Sequence, residues 1–271
     1  EALKTEDANS ENTAIGYQSL AVNNGADGNT ALGYRAGYDV TTGGGNAFLG
    51  AETGANVIGG ADNVMIGKGA GAATTAGLNM VLVGRSAGGG GVITTAATGT
   101  VAIGHSALTA LTSGPGNTAV GFEAGTTLTT GSNNTILGYQ AFNAMDTGNE
   151  NVAIGKNALG AATHDSCNYN ICIGTDAGNG IADVAVANCV IIGGLASDAA
   201  MTAPAAGTIA IGKSALSALT SGARNLAIGY QALEDLTQGN DNIGIGYQAL
   251  NGASTNAVSY THLRAHETDS Y

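Results

Sequence analysis

A five-residue phrase, Asn-Thr-Ala-Ile-Gly at residues 12–16, returns along the whole chain. Variant copies close at Gly33, Gly50, Gly67, Gly84, Gly104, Gly121, Gly138, Gly155, Gly174, Gly193, Gly212, Gly229 and Gly246. Of the thirteen spacings between these fourteen glycines, nine are 17 residues, three are 19 and one is 20. A period this short is one supersecondary unit that cannot bury its apolar side alone, so copies must stack. The expected fold is all-β: a parallel β-solenoid of about 14 coils of roughly 17 residues each. Insertions of two or three residues are expected to bulge as loops and leave the stack undisturbed.

Within each copy the residue before the glycine is Ile, Leu or Val, as in Ile15, Leu32 and Ile103, and the residue two earlier is often β-branched, as in Val152 and Ile209. Such side chains favour strand, and residues two apart share a face. These two columns are read as pointing into the coil. The residue between them, such as Ala14, Phe48, Met65 or Ile136, is never polar or charged. It is read as the outer face, which must then be covered by sister chains. The invariant glycine implies a positive φ or a close backbone approach between neighbouring chains. Asn opens ten copies, with Met80, Thr100, Cys189 and Thr208 as the exceptions. Stacked asparagines are expected to turn a corner and form an amide ladder. The Tyr-Gln-Ala-Leu type segment after the glycine reads equally as a second short strand or a single helical turn.

Composition suits thin layers: 45 glycines, 4% aromatic residues and no Trp. A net charge of −12, with eight Lys plus Arg, supplies no basic footprint for nucleic acid. No apolar run is long enough to insert in a membrane. Cys167, Cys172 and Cys189 are odd in number and lack the C-x-x-C spacing, and are read as small buried fillers.

In register over residues 1–256, the Asn-Thr-Ala-Ile-Gly-x-x-Ala phrase is similar to the Ser-Val-Ala-Ile-Gly-x-x-Ala repeats of trimeric autotransporter adhesin heads. It also resembles repeats in tail fibres of bacterial viruses. The resemblance implies a left-handed β-roll, a homotrimer, an extracellular place on a cell surface or virion, and a role in attachment. The coils here are longer than those of the adhesin heads. Glu1-Ala2-Leu3 matches the Gln-Ala-Leu at 231–233 and 248–250, so the chain is read as opening inside a coil. Residues 1–257 are taken as a repeat solenoid truncated at both ends. Residues 258–271 resemble one frame of a translated sequencing adapter, and are expected to be a non-native tail on a fragment from an environmental assembly.

No catalytic, metal-binding or cofactor-binding residues are assigned. His164-Asp165-Ser166 places three triad residue types in a row, which is not triad geometry. Gly59-Gly60-Ala61-Asp62 occurs once, whereas a calcium roll repeats its motif in every coil. Gly88–Gly91 lacks the Lys-Ser or Lys-Thr of a phosphate loop and reads as a flexible loop. His105 reads as an exposed variant of the position after the glycine. That position also carries Tyr17, Tyr34, Phe122, Tyr139, Tyr230 and Tyr247. These aromatics are expected to stack between coils, and are also the candidate contacts for a glycan or receptor. The expected function is a non-enzymatic structural or adhesive fibre segment. The alternative is an ice- or surface-binding module, suggested by the column Thr41, Thr75, Thr112, Thr129, Thr163, Thr220 and Thr237.

Overall fold

The computed structural model describes residues 1–4, 11–163, 167–181, 185–201 and 205–252, together with the backbone of 261–263. It is a parallel β-solenoid whose strands are the three residues before each closing glycine. Two compact units divide the chain at residue 150. The first holds β1 (Thr13–Ile15), β2 (Thr30–Leu32), β3 (Ala47–Leu49), β4 (Val64–Ile66), β5 (Val81–Val83), β6 (Val101–Ile103), β7 (Thr118–Val120) and β8 (Thr135–Leu137). Each pairs in parallel with its sequence neighbours, residue for residue. The second holds β9 (Val152–Ile154), β10 (Ile171–Ile173), β11 (Val190–Ile192), β12 (Ile209–Ile211), β13 (Leu226–Ile228) and β14 (Ile243–Ile245), paired in the same manner. The 20-residue step from β5 to β6 and the 19-residue steps from β9 to β12 leave register intact, as the insertion reading expects. Much of the extra length before β6 lies around the 3₁₀ turn Thr95–Ala97. Thr261–Leu263, inside the segment read as a non-native tail, runs as a further parallel strand, β15, beside β14. The backbone edge of a parallel sheet is a template for any extended segment. The rest of 258–271 lies outside the described residues.

The strand faces are the reverse of the sequence expectation. The middle residue is buried in every strand from β2 to β14, while the residues on either side are half-buried or exposed. Ala31 is 0% exposed and its neighbour Leu32 44%. Alternation gives the period of a strand but not its phase, and both faces here are apolar. The coil is thin, so its interior takes one side chain per strand.

The interior is filled by exchange of volume. At the large middle residues Phe48, Met65 and Leu82 the residue four after the glycine is Gly54, Gly71 or Gly88, whereas Ile136 is matched with Phe142. At the small middle residues Ala102, Ala153, Ala210 and Ala227 that residue is Leu108, Leu159, Leu216 or Leu233, all buried, whereas after Ala31 and Ala119 it is Gly37 and Gly125, whose space the larger side chains of the adjoining coils fill. A Cβ on Gly71 would meet Met65 Sδ and Leu82 Cδ1. One on Gly37 would meet Phe48 and Leu20 from the adjoining coils. The core is therefore packed between coils as well as within them.

The segment after the glycine is neither strand nor helix, against both expectations. It is a chain of turns with left-handed residues two and four positions on, for example Gln140 (φ 51) and Phe142 (φ 54). Leu3 (φ 48) takes the same conformation as Leu20 (φ 46), and its N–H donates to Ser19 O at 3.1 Å, so residues 1–4 do follow coil register. Left-handed backbone is costly for a bulky residue. The stack compensates by hydrogen-bonding these residues from coil to coil, as in Gln140 N to Phe122 O at 2.9 Å.

The closing glycines take φ from +121 to +146. A Cβ on Gly104 would strike the carbonyl of Gly121. The close approach is between successive coils of the chain. Gly88–Gly91 is likewise not a free loop: Gly90 and Gly91 both donate to Thr109 O, at 3.0 and 2.8 Å.

Candidate functional site

The residues that open each strand phrase hold the stack together from within. Asn46 donates from Nδ2 to Asn29 Oδ1 at 3.0 Å and to Gly60 O at 2.8 Å. Its Oδ1 accepts from the N–H and the Nδ2 of Asn63, at 3.1 and 2.9 Å. Every capacity of a buried amide is thus used, and the expected ladder is present. It recurs at Asn117–Asn134, Asn151–Asn170 and Asn225–Asn242. At Met80 it stops, because that side chain has nothing to donate. At Thr208 it leaves a buried hydroxyl without a partner.

The three cysteines are buried and none forms a disulfide, as read from sequence. Cys189 stands in an Asn slot and donates to Ala205 O at 3.2 Å. Burial pushes its thiol up to about 11, and raises that of Cys172 further. The threonine column is half-buried, apart from the exposed Thr163. Thr41, Thr112, Thr129 and Thr220 donate their hydroxyls to a carbonyl of the following coil at 2.8–3.1 Å.

What remains accessible is the outer face of the strands. It carries the first and last strand residues, among them the exposed Ile15, Leu32, Leu49, Val64, Ile66 and Ile103. This is an apolar sheet face on an otherwise acidic chain, missed in the sequence because the phase of the strand was inverted. The signal that could have found it is the volume exchange between the middle residue and the fourth after the glycine. Only residues sharing an interior need to trade size.

Beside this face runs the aromatic column. Tyr17 and Tyr34 stack at 5.7 Å between ring centres, Phe122 and Tyr139 at 5.3 Å, and Tyr230 and Tyr247 at 5.4 Å, with ring planes within 10°. His105 is half-buried and extends the second pair, stacking on Phe122 at 5.1 Å. The structure thus forms the expected pairs and leaves all six named aromatics exposed; Tyr247 is 62% exposed. Stacking turns ring faces toward one another. The remaining surface is edges and hydroxyls, suited to polar contacts more than to covering a sugar ring.

Among the described residues, no group of three or more His, Cys, Asp or Glu could hold a metal ion, and no helix is long and apolar enough to cross a membrane. His164-Asp165-Ser166 lies outside the described residues. Asp62, from the single calcium-like motif, is exposed on the coil edge. Comparison of the chain with protein-family models, curated proteins and solved structures returned no match.

Proposed function

We propose that this chain is a structural and adhesive fibre segment that assembles with copies of itself, three in the simplest ring, on the outside of a cell or virion. The observation that carries the reading is the outer sheet face, whose last strand residue is Ile, Leu or Val in every coil, exposed in much of the first unit and half-buried in the second. A face of branched aliphatics repeated along a unit marks an interaction surface, and a copy with the same coil spacing matches it. The internal Asn ladder and the coil-to-coil backbone bonds would make the assembly stiff, a suitable carrier for attachment without catalysis. The exposed aromatic pairs are the proposed receptor or glycan contacts. The ice-binding alternative is less well supported, because the threonine hydroxyls named above are spent on backbone carbonyls.

Sedimentation velocity tests the assembly. The chain is expected to run as a multiple of 26.3 kDa, and Ile66→Lys with Ile103→Lys to shift it to single chains. A single-chain mass for the unaltered protein at about 100 µM, a concentration at which a standard-sized interface would be occupied, would remove the fibre reading. For attachment, Tyr230→Ala with Tyr247→Ala should reduce cell or glycan binding at unchanged melting temperature; full binding would exclude that pair as the contact.

A further inference from the structure

We infer that the stacked pairs Tyr17–Tyr34 and Tyr230–Tyr247 are sites of oxidative modification, where hydrogen peroxide acting through a one-electron-oxidising peroxidase joins successive coils by a dityrosine bond. The first pair lies in residues 1–150 and the second in the other unit, so each site is complete within one unit.

In each pair the ring planes are within 10° of parallel and both side chains are exposed. Among the described residues none of the four phenol hydroxyls makes a hydrogen bond. The backbone holds the rings side by side: Tyr17 O accepts the N–H of Arg35 at 2.9 Å, and Tyr230 O that of Gln248 at 2.8 Å. Exposure leaves the rings able to slide the short way from stacking to bonding contact. The other tyrosines of the described residues have no phenol neighbour. Tyr139 stacks on Phe122, Tyr38 carries the Arg35 guanidinium 4.2 Å from its ring centre, and Tyr169 meets no ring. Competing targets are withdrawn from the surface. The chain has no Trp, and its four methionines and three cysteines are buried. Oxidation of thiols follows exposure, so an oxidant working from outside meets phenols first.

Each phenol of a pair gives up one electron and one proton. The peroxide takes both electrons and both protons and leaves as two waters. The two phenoxyl radicals combine in one carbon–carbon bond between ring carbons ortho to the hydroxyls. The hydrogens on those carbons then shift to oxygen and restore both phenols. Holding the partners together makes the coupling an intramolecular step, so a radical on one ring is captured by its neighbour before it meets another chain. The bond closes a circuit of 17 residues. Like a disulfide, it constrains the unfolded chain, so oxidation rivets one coil to the next.

Treating the full chain with a haem peroxidase and hydrogen peroxide tests this. Dityrosine fluorescence should rise, the mass should fall by two hydrogen atoms per link, and peptide mapping should find Tyr17 joined to Tyr34 and Tyr230 to Tyr247. The yield per chain should hold on about tenfold dilution, as an intramolecular step requires. Tyr34→Phe and Tyr247→Phe should each remove one link, and together both. Phenylalanine keeps the stacked ring, as Phe122 does, so these variants should fold, which circular dichroism melting checks. Phe122→Tyr should create a third link, to Tyr139. The linked chain should melt at a higher temperature than the untreated one. Pairs left unlinked, links mapped to Tyr38 or Tyr169 in their place, or pairs joined only between separate chains overturn the inference.

Discussion

The asparagine slot shows how one side chain can link several coils. Asn46 sits at the crossing of four hydrogen bonds, each within 3.1 Å. Asn46→Ala removes two buried donors and strands the amides on both sides, so it should destabilise the first unit by about 3 kcal/mol, read from chemical denaturation. The opposite change is available at Cys189. Asn170 Oδ1 already accepts the N–H of Cys189 at 3.1 Å, and Ala205 O stands where the second amide hydrogen would go. Cys189→Asn should therefore extend the ladder and stabilise by about 1 kcal/mol; a loss would show that the neighbouring Thr208 coil cannot hold an amide. The thiols themselves give a pH signature. Burial raises Cys189 from 9.0 to about 11, and Cys172 moves in the same direction. The native state keeps these protons after the unfolded chain has lost them, so the contribution is whole below pH 9 and declines toward pH 11. The melting temperature should fall more steeply above pH 9 in the natural chain than in Cys172→Ala with Cys189→Ala.

At the scale of the coil, the closing glycine and the volume exchange make opposite demands. Gly104→Ala puts a Cβ into the backbone carbonyl of Gly121 at φ 137, where no flexible side chain can yield. A loss of at least about 3 kcal/mol is expected, seen as a lower denaturation midpoint. Phe48 instead fills a space that other coils fill differently. Phe48→Ala should cost about 3–5 kcal/mol, and adding Gly54→Leu should recover more than half of it. The resulting Ala and Leu pair is the one found at Ala102 and Leu108, where Leu already takes φ 49. The single change Gly54→Leu should destabilise, since its Cβ meets the Phe48 ring. Much of this level was legible in the sequence. The phrase located each strand at the three residues before the glycine, and the run of Asn foretold the ladder. The sidedness was not legible, because Ala14 and Ile15 are both apolar and hydropathy cannot tell the inside from the outside. Nor were the turns, because left-handed Gln, Glu and Leu carry no propensity signal. They are held there by the coil next door. The candidate aromatics were legible as a column, but the face beside them was assigned to the core.

For the molecule as a whole, the repeat predicts which changes of length it tolerates. Each coil bonds chiefly to the next, so stability should behave as a sum of coil and interface contributions. The chain already contains coils lengthened to 19 and 20 residues whose strands stay in register, whereas no coil is shorter than 17. Length added between strands is extruded at the turns, but length removed must come from the closed circuit itself. Excising residues 118–134 joins Asn117 to Thr135 and recreates an Asn-Thr-Ile-Leu-Gly phrase one coil earlier. The shortened chain should fold cooperatively, with a circular dichroism spectrum per residue unchanged and a melting temperature lowered by only a few degrees, as expected from losing one interface among many. Excising one residue more, 118–135, leaves a 16-residue circuit and moves Asn117 into the strand. The amide then has no place in the ladder, and the middle and outer columns of that coil compete for the interior. A broad, early transition is expected for this second deletion. Equal behaviour of the two would mean that the coil is elastic and that the 17-residue period does not set its circumference.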